Sequence, residues 1–389
     1  MKNITLLLLI LIVSHLSIFA QVGWFKAQMH CHSNNSDGDV SPHAVAQSYF
    51  DNGNRVIFIT DHDFMTVSDT INIPGMLCIN GEETHPSGVH VNGFFLHKQI
   101  IANSYTLQSA IDSIHAQGGL VQLNHPTDPI ARIYFKDIMP LQNLDFMEIC
   151  NFPVNILNND DQMLWDSLLT AGKKVLGTAS DDEHIISISD DGYVYLYSDT
   201  LTREAVFNSL KAGSFYASCG VVIDNYDIDS NIINISCTNC KTIKFYGANH
   251  TVLKSVRSKS ASYTITNEPF VRVYLEDDGE LDQKKRAWTQ PVFHDELGIY
   301  APKKPENALI FPNPSTGNPT LRYYVSSETI VSIVLFDIAG HKVSEITNVD
   351  KTPGYHETII DTNALGCGMY FCVITSGNSK MVRKVLLNK

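Results

Sequence analysis

Apolar and polar positions along this chain fall into three successive rhythms. From about residue 24 to residue 218, short β-branched runs alternate with stretches of helical spacing. Val56–Ile59, Leu120–Leu123 and the run ending Lys174-Val175-Leu176 read as strands. Between them, residues 42–50 open with Ser41-Pro42, an N-cap followed by proline at the first helical position. Residues 107–117 carry Leu107, Ala110, Ile111 and Ile114 on one face and stop at Gly118-Gly119. Residues 160–171 and 202–211 repeat that form, closed by Gly172 and Gly213. Strand, helix, strand is the rhythm of an α/β barrel.

After residue 218 the period shortens. Residues 232–235, 242–246, 262–265 and 271–275 alternate as short strands between turn residues, which predicts a small β-sandwich over 219–300. The acidic run Glu276-Asp277-Asp278-Gly279-Glu280 reads as a solvated turn. Pro302-Lys303-Lys304-Pro305 marks a linker over 301–310, and a third, all-β unit follows over 311–389. Its last residues, 380–385, mix charge with apolar side chains as an edge strand does.

Residues 1–20 have a different character. Lys2, the apolar run 4–13 and Ala20 before Gln21 predict a secretory signal peptide, and the run is short for a membrane span. No Cys stands directly after Ala20, and no later stretch reads as a transmembrane segment, so an exported, soluble mature chain is expected. A formal net charge of −13 argues against stable nucleic-acid binding, which needs a basic face. Eight cysteines in an exported chain permit disulfides, and Cys237-x-x-Cys240 reads as a local disulfide or two free thiols.

The chemistry is concentrated in the barrel segment. Ten of the fifteen histidines lie between His30 and His184. Five patches of metal-ligand residues recur there, holding five of these histidines: Met29-His30-Cys31-His32 with Asp37, Thr60-Asp61-His62-Asp63, Gly81-Glu82-Glu83, Asn124-His125-Pro126, and Ser180-Asp181-Asp182-Glu183-His184. Several directly follow a predicted strand, which puts their side chains at one face of the barrel. His30-x-His32 places two imidazoles on the same side of one strand, and Asp182-x-His184 repeats the spacing. Imidazole and carboxylate without thiolate suit two or three divalent ions of Zn, Mn or Fe. Such ions lower the pKa of a bridging water and stabilise charge on a phosphoester. Asp61 and Asp63 read as groups orienting His62, whereas Asn151 and Arg132 read equally as phosphate contacts or as loop residues. His43, His97 and His115 lack this framing and read as surface or packing residues.

With these residues in view, residues 25–218 resemble the PHP (polymerase and histidinol phosphatase) domain. The resemblance implies a distorted seven-stranded β/α barrel and three metal ions. His30, His32, Asp182 and a bridging Glu83 would hold the first; Glu83, His125 and His90, with His85 nearby, the second; Asp37, His62 and His184 the third. Gly-x-Glu selects Glu83 over Glu82, and Asp-x-His selects Asp182 over Asp181. The segment Gly213-Ser214-Phe215-Tyr216 and the run Arg286-Ala287-Trp288-Thr289-Gln290-Pro291 are similar to a carbaryl-hydrolase-like branch. Phe311-Pro312-Asn313-Pro314 and Gly368-Met369-Tyr370 resemble the C-terminal sorting domain of type IX secretion in Bacteroidetes, which implies partnership with that machinery and secretion or surface attachment. The function expected is a secreted metal-dependent phosphoesterase in which hydroxide held by Glu83 and Asp182 attacks a phosphoester. Its rivals are a carboxyl or carbamate ester hydrolase at the same site and a non-catalytic surface binding protein.

Overall fold

The computed structural model describes residues 23–101, 105–152, 160–186, 191–280, 284–296, 308–325, 329–338, 340–351, 354–376 and 379–389. The signal-peptide segment and most of the linker lie outside them. Among the described residues no helix is long and apolar enough to cross a membrane.

Strands β1 (Gly23–Gln28), β2 (Val56–Ile59), β3 (Leu77–Thr84), β4 (Val91–Phe94), β5 (Leu120–Leu123), β6 (Phe146–Asn151) and β7 (Leu176–Ser180) lie side by side in chain order. β2 is apolar and buried at every position, as a parallel strand covered on both faces should be. Its outer neighbours include Val45, Ala46 and Tyr49 of helix Pro42–Asp51, whose Ser41 hydroxyl accepts from Ala44 N–H at 3.3 Å. Phe58, Phe94, Phe146 and Phe215 pack together on the other side, each burial contributing roughly 1.5–3 kcal/mol. The sheet curls so that its first and last strands meet. His32 N–H donates to Glu183 O at 2.9 Å and Asp182 N–H to His30 O at 3.0 Å.

The sheet departs from a uniform strand–helix repeat. Pairs β1–β2, β2–β3, β5–β6 and β6–β7 are parallel, but β4 runs antiparallel to both β3 and β5. No helix separates β3 from β4. Their connection instead carries Pro86–Gly88, a 3₁₀ turn, with His85 and His90 on either side.

β8 (Tyr193–Ser198) and β9 (Phe215–Cys219) extend the sheet antiparallel beyond β1. The following strands are β10 (Ile223–Asp229), β11 (Ile232–Cys237), β12 (Thr242–Gly247), β13 (Thr251–Val256), β14 (Ser260–Thr264), β15 (Phe270–Glu276) and β16 (Arg286–Thr289). β10, β11 and β14 form one sheet; β13, β12, β15 and β16 join β9, with Trp288 opposite Ala217. Ile233 and Ile235 share a buried cluster with Ile243, Phe245, Val271 and Val273. These strands therefore pack as two layers, one of which continues the sheet of the preceding segment. Alternation within each strand reveals its buried face but not the distant partner it pairs with. Cys237 and Cys240 are disulfide-bonded.

The remaining described strands form two antiparallel sheets, one from Ala308–Phe311, Thr320–Val325 and Gly354–Ile359, the other from Lys342–Lys351, Thr329–Phe336, Gly368–Ser376 and Ser379–Leu387. Ser379–Leu387 lies at the end of its sheet, as the mixed pattern of 380–385 predicts. The whole is a mixed α/β protein with one large mixed sheet and an all-β C-terminal unit.

Candidate metal centre

Every proposed ligand but Asp37 lies at or just beyond the end of a strand or in the β3–β4 connection, and Asp37 sits in the turn that leads to helix Pro42–Asp51. His30 and His32 follow β1 on either side of Cys31, whose thiol turns away to donate to Phe58 O at 3.5 Å. His30 Nε2 stands 3.3 Å from Glu83 Oε2 and 3.1 Å from Asp182 Oδ1. His32 Nε2 stands 2.9 Å from the same Asp182 oxygen. A second group surrounds Asp37, with its Oδ2 3.4 Å from His184 Nε2 and 3.6 Å from His62 Nε2. Around Glu83 Oε1 lie His90 Nδ1 at 3.1 Å and His125 Nε2 at 3.4 Å.

Ligand atoms of His30, His32, Glu83 and Asp182 all fall within 4.8 Å of one another, as do those of His32, Asp37, His62 and His184, and those of His62, Glu83, His85 and His90. All nine residues expected from the sequence are thus brought together, and His85 joins them. The structure places both His85 and His90 in the cluster, by different contacts. His90 faces Glu83, whereas His85 spans Asp63 Oδ2 and His62 Nδ1, each at 2.9 Å. Asp181 turns away, accepting from Asp191 N–H at 2.8 Å, Gly192 N–H at 2.7 Å and the Tyr49 hydroxyl at 3.1 Å.

Packing so many lone pairs together is unfavourable unless a cation sits among them. Glu83 Oε2, His32 Nδ1 and His125 Nδ1 are buried and make no hydrogen bond. Burial opposes charge on His30, but Asp182, Glu83 and Glu148 outweigh it and hold that imidazole well above its usual range. Burial likewise opposes charge on Glu83, yet His30, His125 and His62 hold it well below the usual carboxylate range. Asp182 is lowered too, because His30 and His32 overcome its desolvation. His125, despite burial, is raised to about 9 by Glu83 and Glu148. Protons here occupy places that suit divalent ions, and the donor set fits such ions. Asp63, His125 and Asp182 hold φ of 49°, 24° and 52°, a left-handed backbone rare outside glycine and clustered here at the site.

Around this cluster lie polar groups that fix its ligands. Glu148 lies in β6, wholly buried. Its Oε1 accepts from His30 Nδ1–H at 2.8 Å, and its Oε2 from His125 N–H and Asn151 Nδ2–H at 2.8 and 2.9 Å. Sequence reasoning missed it. The available signal was a lone carboxylate inside the otherwise apolar run Phe146-Met147-Glu148-Ile149-Cys150. Asn151 also donates to Asp182 Oδ2 at 3.2 Å, so it anchors a ligand in this state. Arg132 donates to Thr127 O, fastening its own loop.

Asp61 corrects an expectation, since its carboxylate does not orient His62. It accepts from Ser33 N–H and Oγ–H at 2.7 Å each, from Ser36 Oγ–H at 2.8 Å, and from Thr66. Backbone geometry explains this: side chains alternate along an extended segment, so Asp61 points opposite to His62 and shapes the loop leading to Asp37. His43 and His97 are exposed, and His115 pairs with Asp145 at 3.1 Å, all apart from the cluster.

Comparison with known proteins adds the following. An uncharacterized protein of Methanocaldococcus jannaschii, MJ0417, is 28% identical over 123 residues, covering 32% of this chain and 48% of that protein. The chain thus spans about half the length of this curated relative. A two-domain protein from Bacteroides vulgatus, described as containing a predicted PHP-like metal-dependent phosphoesterase, is 14% identical, with 85% of this chain and 96% of that one covered and a TM-score of 0.41. An amidohydrolase from Chromobacterium violaceum is also 14% identical, covering 41% and 88% with a TM-score of 0.33. A lesion-specific endonuclease from Pyrococcus furiosus is 12% identical, covering 49% and 56% with a TM-score of 0.35. Residues 309–388 match the secretion system C-terminal sorting domain. The C-terminal unit belongs to that type IX sorting family, and the chain is one exported for secretion or display at the cell surface.

Proposed function

We propose that this chain is an exported metal-dependent phosphoesterase. One observation carries the reading: Glu83, fully buried, turns both carboxylate oxygens toward imidazoles from four separate segments. A carboxylate so surrounded suits a bridge between neighbouring ions. His30, His32 and Asp182 would hold one ion with it, and His90 and His125 a second. Asp37, His62 and His184 would hold a third. His85 is placed to share with His62. When bound, such ions supply Lewis acidity, lower the pKa of a bridging water and neutralise charge on a phosphoryl group.

The protein's own residues do the positioning. Glu148 accepts a hydrogen bond from His30 Nδ1–H and thereby presents Nε2 to the centre. Asn151 ties Asp182 to Glu148, and Asp61 fixes the loop carrying Asp37. Three ligand groups around a common centre suit the several oxygens of a phosphoryl group, which is why phosphoesters rank ahead of carboxyl or carbamate esters.

The test is hydrolysis by the full chain after chelation and refilling with Mn, Zn or Fe, using phosphate monoesters, phosphate diesters and carboxyl esters. Metal-restored turnover of a phosphoester is the expected result. Turnover of carboxyl esters alone would transfer the site to the rival ester chemistry. Full metal content with no turnover of any substrate would favour a binding protein.

A further inference from the structure

The barrel segment exposes eight large apolar side chains among its described residues: Phe64, Val67, Ile101, Ile130, Tyr134, Phe135, Met163 and Ile185. Scattered exposed apolar residues need no explanation. Their placement here does, because six of the eight lie on segments that follow a ligand or are tied to the ligand-bearing face, while Phe135 and Met163 lie on the helices Phe135–Ile138 and Asp160–Thr170. Phe64 and Val67 follow His62, Ile130 and Tyr134 follow His125, and Ile185 directly follows His184. Ile101 belongs to a segment held to that face through Gln99, whose side chain donates to Asp63 O, and through Ile100 N–H, which donates to Glu82 Oε2 at 2.8 Å. Exposure reaches 88% at Ile130, 65% at Ile185, 63% at Ile101 and 58% at Tyr134.

Charge on the same segments points the same way. Residues 60–70, 84–90 and 181–186 contain no Lys or Arg. Segments 97–101 and 125–135 contribute one cation each, Lys98 and Arg132, and the Arg132 guanidinium is turned back onto Thr127 O. A leaving group with further phosphates would meet carboxylates and few cations here. An uncharged apolar group would meet side chains whose burial is favourable.

We infer that the ester handled at this centre carries an uncharged, apolar group on its non-reacting side, an aryl ring or an alkyl chain, seated against the side chains of Phe64, Ile101, Ile130, Tyr134 and Ile185. The inference rests on the phosphoester reading and narrows its substrate class. The apolar side chains fix preference among esters, and the metal ligands handle the reacting phosphoryl group.

The experiment is calorimetric titration of the full chain, loaded with Mn, with methylphosphonate, octylphosphonate and phenylphosphonate. Octyl- or phenylphosphonate should bind at least about tenfold more tightly than methylphosphonate, and which of the two gains more distinguishes chain from ring. The triple variant Ile101→Ser, Ile130→Ser, Tyr134→Ser alters only exposed side chains. It should reduce that advantage to less than about threefold while leaving methylphosphonate affinity unchanged. Equal affinity for all three phosphonates, or an advantage the triple variant retains, would overturn the inference while sparing the phosphoester reading. Binding of none of them to the metal-loaded chain would remove both.

Discussion

Glu148 shows how one buried carboxylate can govern a site it does not enter. It accepts from His30, His125 N–H, Asn151 and Gln122, and Ser180 also donates to it. In Glu148→Gln an amide N–H₂ must face donors, so His30 loses its fixed orientation. Metal affinity should fall about 10–100-fold with the fold retained, as measured by competition with a chelating dye and by circular dichroism. Asp161 titrates in a different setting. Burial raises its carboxyl to about 7, although Thr127 N–H donates to it at 3.0 Å. A carboxyl raised in the folded state binds its proton more tightly there than when unfolded. It therefore costs stability progressively as pH rises from about 4 through 7. Asp161→Asn keeps an acceptor for Thr127 and removes that cost. The variant should gain on the order of 1–3 kcal/mol at pH 8, with the gain vanishing near pH 4, followed by urea melts at both pH values. His30, His32, His62, His125, Asp182 and His184 were legible because His-x-His, Asp-x-His and strand-end histidines carry a spacing, whereas Asp37, Glu83 and His90 were placed as ligands by the resemblance to the PHP domain. Glu148 has no such spacing, and its role arises only when β6 is placed beside His30. Asp61 was misread because adjacency in sequence does not mean a shared direction in space.

Among the elements, helix Asp160–Thr170 is joined to β15 by a buried ion pair. Arg272 Nε and Nη2 each lie 2.6 Å from an oxygen of Asp166, and the guanidinium sits 5.1 Å and 4.6 Å from the ring centres of Trp165 and Tyr246. Asp166→Ala leaves that charge buried and should cost about 3–5 kcal/mol, read from the shift in urea midpoint. Asp166→Leu combined with Arg272→Met should recover most of it. Two thiols offer a second link: Cys150 Sγ of β6 and Cys219 Sγ of β9 lie 3.1 Å apart. An exported chain meets oxidising conditions, so non-reducing peptide mapping of secreted material should find them joined. The helices were readable from N-caps, apolar faces and terminal glycines. The antiparallel insertion of β4 was not, because Val91-Asn92-Gly93-Phe94 has no feature that states the direction of its neighbours.

At the scale of the molecule, the C-terminal unit determines where the centre works. A chain lacking residues 309–389 should fold and retain metal binding but remain inside the outer membrane, checked by fractionating cells that express both forms. Phe311-Pro312-Asn313-Pro314 and the terminal strands made this unit legible, since its signature is local. The union of the first two segments was not legible, because it depends on strands 70 residues apart meeting edge to edge, Thr289 with Tyr216 and Arg286 with Cys219. Gln290 adds two more ties, accepting from Gly177 N–H and donating to Gly177 O, each at 2.8 Å. A gene cut just after Cys219 would therefore produce a barrel with an unsatisfied row of amides along β9, open to pairing with a second copy and prone to insolubility. The smallest portion that can be exchanged between proteins as a working cassette ends beyond Gln290, not where the α/β pattern stops.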